Sequence, residues 1–187
     1  VRKQLGLEDK VVYAYMPTWR GTSNHSVNQD AYSKEVTKMM SYLDKNLKDN
    51  QILYVNFHPI LKNSVQLGDY EHIKSFPAEV DKYEFLNSVD ALITDYSSVF
   101  FDYTNLRRPI LFFMYDYEQY KHEMRDFYFD IHMLPGPVLM NQEEVLKTLK
   151  NLPDMVDKYE KKYAEFNNVF NPHRERCSEK YLREWMR

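Results

Sequence analysis

Two serines and an acid directly follow an apolar run in the segment ALITDYSS, residues 91–98. The run 91–94 has the composition of a buried strand, and an amphipathic helical pattern begins near Ser98. A helix that starts there presents unpaired backbone N–H groups, and Ser97 and Ser98 add hydroxyl donors, which together suit a phosphate or pyrophosphate. The alternative is ordinary helix capping, because Asp and Ser are also common capping residues. This stretch alone leaves both interpretations open.

Polar side chains follow two other apolar runs at comparable places. Thr18 and Arg20 come after the run 11–15, and His58 comes after the run 52–57. If these runs are parallel strands, their carboxyl ends share one edge of the sheet, where open α/β sheets bind ligands. We therefore expect Arg20 to pair with a phosphate and Thr18 to offer a hydroxyl. His58 could donate a hydrogen bond or a proton to a diphosphate.

Thr94 and Asp95 end the 91–94 run, and we assign both to the same candidate phosphate site. Asp95 could instead cap the backbone amides of Ser97 or Ser98, or it could orient His58. The residues by themselves do not decide between these roles. No metal site is predicted, because the other histidines lack the spacing of metal ligands.

The elements that must position these residues alternate along the chain. Several apolar runs lack period-two alternation, which is typical of parallel strands covered on both faces. We therefore predict an α/β fold, a single Rossmann-like domain with a parallel sheet and helices on both faces. The predicted strands are 11–15, 52–57, 72–75, 91–94 and 110–113. One predicted helix begins at Asp30 and another at Ser178. A short helix lies within 77–90, with Val80, Tyr83 and Leu86 facing inward. The remaining predicted helices span 97–106, 141–149 and 155–166.

Composition excludes several classes of protein. Apolar residues make up 43% of the chain, which supports a well-filled core, and only four glycines are present, too few for a glycine-rich phosphate loop. A formal charge of -3 argues against general nucleic-acid binding, and a single cysteine excludes internal disulfides. No apolar run approaches the roughly 18 residues of a membrane span. The first ten residues are typical of a helix cut partway, so we expect a piece of a longer protein.

The segment ALITDYSSVFFDYTNLRRPILFFMYDYEQY, residues 91–120, resembles the signature of the CDP-glycerol glycerophosphotransferases, the teichoic-acid polymerase and primase family. VVYAYMPTWRG, residues 11–21, resembles the family's strand ending in A-P-T-[WF]-R, with Met16 where alanine is usual. VNFHPI, residues 55–60, resembles its strand ending in His-Pro. The similarity covers most of residues 1–180.

The resemblance implies one half of a GT-B-type enzyme. Residues 1–187 would form its C-terminal nucleotide-donor domain, and we expect the N-terminal acceptor domain, which in the family carries the proposed catalytic base, to lie outside these residues. The implied reaction transfers glycerol phosphate or ribitol phosphate from a CDP-activated donor to a teichoic-acid-like or capsular polymer, releasing CMP. By the family's pattern, His58 is the expected catalytic residue, and Ser97 and Ser98 hold the donor phosphates. This domain alone is expected to be inactive.

Several further expectations follow from the resemblance. The partners would be CDP-glycerol or CDP-ribitol and a lipid-linked acceptor bound through the missing domain, with no cofactor and no nucleic acid. The parent protein would be peripheral, on the cytoplasmic face of the cell membrane. Arg174-Glu175 replace the Asp-Gly of a C-terminal family motif, so either the donor differs or one ligand contact is lost. Two alternatives stay open: a non-catalytic nucleotide-binding module, and a nucleotide-sugar glycosyltransferase or epimerase of the GT-B type.

Overall fold

The computed structural model describes residues 1–20, 29–57, 65, 67–124, 129–172 and 177–186. Within these ranges, six strands form one sheet in which every neighbouring pair is parallel. The strands are β1 (Val11–Met16), β2 (Gln51–Val55), β3 (Ile73–Ser75), β4 (Ala91–Thr94), β5 (Ile110–Phe113) and β6 (Val138–Leu139). Their spatial order is β3-β2-β1-β4-β5-β6, so the direction of strand addition reverses between β1 and β4. The predicted Rossmann-like architecture is confirmed.

Helices connect the strands and cover both faces of the sheet. Their bounds are α1 (Gln29–Asp44), α2 (Lys82–Leu86), α3 (Val99–Tyr103), α4 (Tyr117–Gln119), α5 (Gln142–Lys150), α6 (Leu152–Phe170) and α7 (Cys177–Trp185). Short 3-10 turns occupy Thr104–Leu106 and Ile131–Met133, and a π-helical turn occupies Tyr120–Met124. Among the helices of the described ranges, none has the length and apolar character needed to cross a bilayer.

The strands are buried on both faces because alternate side chains enter two separate apolar cores. From β1, Tyr13 and Tyr15 enter the core that includes residues of α1 and α5. Val12 and Ala14 enter the opposite core, which includes residues of α2, α3 and α6. Since both faces are covered, the strand sequences show no polar face and no period-two alternation.

The short helix between β3 and β4 differs from its prediction at one side chain. Leu86 is buried as expected, but Tyr83 is 58% exposed. The Asp81 carboxylate accepts the backbone N–H groups of Tyr83 and Glu84 and thereby starts α2 there. The helix is only five residues long, so it has room for a narrow apolar stripe that excludes Tyr83.

The predicted helix at 97–106 is divided in the structure. α3 covers five residues, the chain tightens into the following 3-10 turn, and Arg107 then takes a left-handed conformation with φ of 53°. Because Arg107 ends the helical segment, the chain can reverse into Pro109 and β5. The predicted cap at Asn141 is confirmed, since its side chain accepts the Glu144 N–H at the start of α5.

Other predicted bounds require correction. The strand at 52–57 ends at Val55, the helix at 155–166 extends over 152–170, and the N-terminal residues 2–6 form turns instead of a helix. β6 was not predicted, because two residues beside Pro137 carry no strand pattern. Gly136 permits this pairing: a Cβ there would overlap the backbone carbonyl of Ile110 on β5.

Candidate functional site

The sequence-predicted site residues meet where the strand order reverses. β1 and β4 pair there with Met16 opposite Thr94, and the chain leaves both strands at the same edge. Open α/β sheets form their ligand crevice outside the carboxyl ends of the strands at this switch point. Five of the predicted residues follow these two strands, namely Thr18, Arg20, Asp95, Ser97 and Ser98. The prediction that these residues share one edge of the sheet is confirmed, and their binding of a phosphate stays a prediction.

Asp95 connects the two segments that leave β1 and β4. Its Oδ1 accepts the backbone N–H of Thr18 at 2.8 Å and that of Tyr96 at 2.5 Å. Its Oδ2 accepts a hydrogen bond from Arg20 at 2.8 Å. These bonds occupy both carboxylate oxygens, and the described hydrogen bonds include none from the Ser97 or Ser98 amides. Asp95 therefore bridges the two segments, which argues against the alternative capping role, and its assignment to the phosphate site stays a prediction.

Arg20 lies at the centre of a buried ionic cluster. Its side chain is 2% exposed, and it donates to Asp95 and, through Nε at 2.6 Å and one terminal nitrogen at 3.0 Å, to both oxygens of Asp116. A further bond runs to the backbone carbonyl of Thr18 at 2.9 Å. Burial disfavours the guanidinium charge, but Asp95 and Asp116 outweigh it and raise the pKa of Arg20. Direct phosphate binding by Arg20 stays a prediction, since the described bonds already use four of its five N–H groups and the side chain is buried.

Aromatic rings enclose the Arg20 guanidinium. Its central carbon lies 4.7 Å from the ring centre of Tyr96, 5.2 Å from that of Tyr32 and 5.3 Å from that of Tyr120. Tyr96 and Tyr120 stack on each other with ring centres 3.6 Å apart, and the Tyr96 hydroxyl donates to Asp116 at 3.0 Å. Burial, followed by the Asp116 charge, raises the pKa of Tyr96 well above its usual value. The Tyr96 hydroxyl therefore stays protonated and neutral near neutral pH.

Ser97 and Ser98 form the turn that follows this cluster. Ser97 is half-buried and Ser98 is exposed. Within the described part of the chain, the Ser98 side chain makes no capping bond to α3, and Ser97 Oγ receives only a long contact of 3.5 Å from the Val99 N–H. Simple capping therefore accounts poorly for both hydroxyls. α3 has five residues, so its dipole adds little to whatever these hydroxyls bind.

The two threonines of the predicted site have internal roles. Thr94 is fully buried, and its hydroxyl donates to the Met16 carbonyl at 2.8 Å, which joins β4 to the end of β1. The Thr18 hydroxyl oxygen is buried and has no hydrogen-bond partner among the described residues. A phosphate contact by either hydroxyl would need the segment after β1 to shift, and both assignments stay predictions.

A cavity of about 390 Å³ opens beside the carboxyl ends of β2 and β3. Asn56 supplies an amide, Ser75 a hydroxyl, and Phe57 and Phe76 aromatic surface. Parallel strands lie about 4.8 Å apart, so the end of β2 is about 10 Å from the end of β4 on the other side of β1. The cavity and the serine turn therefore belong to one edge of the sheet.

Two predictions lie outside the described residues. His58 and the Arg174-Glu175 pair both fall in segments whose structure is not described, so no geometry can be assigned to either. Over the described ranges, no group of three or more His, Cys, Asp or Glu side chains is arranged to hold a metal ion. The recognisable chemistry of the site is therefore that of hydroxyl donors beside a buried ionic cluster.

Asp116 is the residue that the sequence predictions missed. It follows β5 by three positions and is not among the predicted site residues, yet it makes the bidentate contact with Arg20. A usable signal was present, because Asp116 comes shortly after a buried parallel strand, as Asp95 does. Carboxylates that follow neighbouring parallel strands reach the same sheet edge.

Comparison with known proteins finds relatives of this chain among the teichoic-acid polymerases. The family model for CDP-Glycerol:Poly(glycerophosphate) glycerophosphotransferase matches residues 1–185. The teichoic acid poly(glycerol phosphate) polymerase of Staphylococcus epidermidis is 35% identical over 176 residues, which cover 91% of this chain and 24% of that protein. The teichoic acid poly(ribitol-phosphate) polymerase of Bacillus spizizenii is 36% identical over 149 residues, covering 77% of this chain and 23% of that protein.

A solved structure shows the same relationship in three dimensions. A variant of the wall teichoic acid polymerase TagF, soaked with CDPG, superposes with a TM-score of 0.75 and 32% identity. The match covers 97% of this chain and 43% of that one. The chain thus spans about a quarter of the two curated relatives and under half of the TagF chain.

Proposed function

Because the chain belongs to the CDP-glycerol:poly(glycerophosphate) glycerophosphotransferase family, we propose that it is the nucleotide-donor domain of such an enzyme. The enzyme would transfer glycerol phosphate from CDP-glycerol to a cell-surface polymer of the teichoic-acid type. CDP-ribitol, which would supply ribitol phosphate, is the second candidate donor, because a poly(glycerol phosphate) polymerase and a poly(ribitol-phosphate) polymerase match the chain at similar identity. The remainder of such an enzyme would supply the acceptor site.

One observation carries this proposal. At the switch point of the sheet, the Ser97 and Ser98 hydroxyls lie on a turn that the buried Asp95–Arg20 pair connects to the end of β1. The Ser98 side chain is exposed and makes no capping bond within the described residues. Hydroxyls placed in this way suit the oxygens of a diphosphate. The cavity beside β2 and β3 would take the nucleoside, about two strand spacings away.

The proposed reaction is a displacement at the phosphorus that carries the polyol. A hydroxyl of the acceptor attacks this phosphorus, the bond to the bridging oxygen of the diphosphate breaks, and CMP leaves with that oxygen. The acceptor proton passes to a base that we place outside this chain. Ser97 and Ser98 would stabilise the charge that develops on the leaving phosphate. His58 would donate a hydrogen bond or a proton to the same group.

The acceptor and the location of the parent enzyme are part of the proposal. The acceptor would be a lipid-linked polymer held at the cytoplasmic face of the membrane, to which the parent protein would bind peripherally. Co-sedimentation of the full-length protein with membrane vesicles would test this location. Retention of the protein in the supernatant at low ionic strength would contradict it, because weak electrostatic attachment is strongest there.

Calorimetric titration of the full-length protein tests the donor assignment. CDP-glycerol, CDP-ribitol, CMP and UDP-N-acetylglucosamine are compared, and we expect saturable binding of the cytidine ligands, with the tighter polyol donor naming the substrate. Binding of the uridine sugar alone would move the protein to a nucleotide-sugar glycosyltransferase or epimerase. Binding of CDP-glycerol without turnover would favour the non-catalytic module.

The serine turn is tested by replacing Ser97 and Ser98 together with alanine. We expect donor binding to weaken by about 1–3 kcal/mol per lost bond to a charged oxygen, with the unfolding midpoint unchanged. Ser88→Ala is the matched control, because Ser88 precedes β4 at the opposite edge and its hydroxyl donates to the Phe85 carbonyl. Unchanged affinity in a folded double variant would refute the phosphate role.

The role of His58 is tested separately. His58→Ala should lower turnover more than it lowers donor affinity, and His132→Ala, at an exposed histidine, is the control.

A further inference from the structure

We propose that Asp116 is a positioning residue for the donor phosphate site. It acts through Arg20 and Asp95 on the turn that carries Ser97 and Ser98, and it touches neither the donor nor the reacting atoms. The inference rests on the proposed function for its kinetic consequence. Its structural part, that Asp116 holds the segments after β1 and β4 in place, stands on the contacts alone.

Asp116 fixes the orientation of the Arg20 guanidinium. The Asp116 carboxylate accepts hydrogen bonds from Arg20 Nε at 2.6 Å and from one terminal nitrogen at 3.0 Å. This bidentate contact fixes the plane of the guanidinium. The Arg20 side chain is 2% exposed and that of Asp116 is 10% exposed, so water screens the contact weakly. With its plane fixed, Arg20 presents its other terminal nitrogen to Asp95 and to the Thr18 carbonyl.

Two hydrogen-bonded routes lead from Asp116 to the serine turn. The first passes through Arg20 to Asp95, whose Oδ1 holds the backbone N–H of Tyr96, the residue directly before Ser97. The second passes through the Tyr96 hydroxyl, which donates to Asp116 at 3.0 Å. Tyr96 is therefore held at its backbone by one carboxylate and at its hydroxyl by the other, and the turn that follows it has a defined starting point.

Charge balance indicates that Asp116 does more than neutralise Arg20. Asp95 alone would balance the guanidinium, and Asp116 makes the cluster of one cation and two carboxylates formally negative. A second buried carboxylate carries a desolvation cost that a single ion pair avoids. The contacts of Asp116 offset this cost by fixing the orientation of the Arg20 guanidinium and of the Tyr96 ring.

A double-mutant cycle in the full-length protein tests the coupling. Asp116→Asn keeps the shape and removes the charge, and we expect kcat/KM for the CDP-activated donor to fall by about 10-fold to 100-fold, as for a displaced catalytic geometry. In the variant that lacks both serine hydroxyls, Asp116→Asn should lower kcat/KM little further, because the hydroxyls that Asp116 positions are already gone. Glu118→Gln, an exposed acid two residues away, is the control and should leave kcat/KM unchanged.

An equal loss in both backgrounds, or no loss in either, would overturn the coupling. Hydrogen exchange provides a second readout that needs no substrate: the peptides containing Thr18 and Tyr96 should exchange faster in Asp116→Asn than in Glu118→Gln. Unchanged exchange would overturn the positioning role even if turnover fell. If the unsubstituted protein turned over no CDP-activated donor, the proposed function would fail while exchange still decided the positioning role. Asp116→Glu, which keeps the charge and shifts it by one methylene, replaces Asp116→Asn if that variant does not fold.

Discussion

β4 is held at each end by an aspartate–arginine pair, and the two pairs differ in burial. Asp90, before the strand, binds Arg2 with side chains 39% and 29% exposed. Asp95, after the strand, binds Arg20 with both side chains 2% exposed. The chemistry of the two pairs is the same, so the difference between them is one of environment.

The two aspartates also share a backbone role. Asp90 accepts the N–H of Val12 at 2.7 Å, and Asp95 accepts the N–H of Thr18 at 2.8 Å, so each ties β4 to the β1 segment. At the amino edge, the only further side-chain hydrogen bonds of this pair among the described residues run from Arg2 to backbone carbonyls, such as that of Ser88. At the carboxyl edge the arrangement continues into a second carboxylate, three aromatic rings and the serine turn. The same aspartate–arginine arrangement therefore joins β1 to β4 at both edges, and only at the carboxyl edge does it also contact the candidate site.

The largest expected effect separates the two arginines. Arg20→Met leaves two carboxylates buried without their cation, so we expect the free energy of unfolding to fall by about 3–5 kcal/mol. Arg2→Met removes a partly exposed, screened pair and should cost about 1 kcal/mol. Denaturant unfolding of both variants measures the difference. Equal losses would show that burial does not distinguish the two edges.

An intermediate effect separates the two aspartates in donor binding. Asp95→Asn weakens the hydrogen bonds to the Tyr96 amide and to Arg20, so we expect donor affinity to fall by about 1.5–3 kcal/mol, the scale of one hydrogen bond to a charged group. Asp90→Asn lies at the opposite edge and should change stability without changing affinity. Calorimetric titration of the two variants decides, and a comparable loss of affinity from Asp90→Asn would mean that the site depends on the whole strand.

The smallest effect concerns two tyrosines of β1 in alkaline solution. Burial, opposed by the hydrogen bond from Gln51, raises the pKa of Tyr13 to about 12, and burial also raises the pKa of Tyr15 well above its usual value. A raised pKa means that the folded state keeps its proton longer, so the stability from neutral Tyr13 is complete below pH 10 and is lost between about pH 10 and 12. Tyr13→Phe should flatten the fall of stability with pH in that window, and Tyr15→Phe should also flatten the fall in alkaline solution. Unfolding curves from pH 9 to 12.5, roughly spanning the window, test this; identical slopes in wild type and Tyr13→Phe would contradict it.

Much of the fold was predictable because its signals are local. Each of the five predicted strands is present, and buried runs such as 91–94 and 110–113 agree with the structure to the residue. Their uninterrupted apolar character follows directly from burial on both faces of a parallel sheet. β6 was not predicted because a two-residue strand has no periodicity. It pairs with β5 because Gly136 lets the chain approach that strand closely.

The sequence by itself determined the parallel sheet, the family, and the serine turn at the end of β4, because each depends on residues close together in the chain. Only the tertiary structure decided how the turn is held. Arg20 and Asp116 are 96 positions apart, and they meet because β1, β4 and β5 are adjacent in one register. It also decided which aspartate–arginine pair is buried. Burial depends on what packs over an edge, and the Tyr32, Tyr96 and Tyr120 rings that enclose Arg20 come from three different segments.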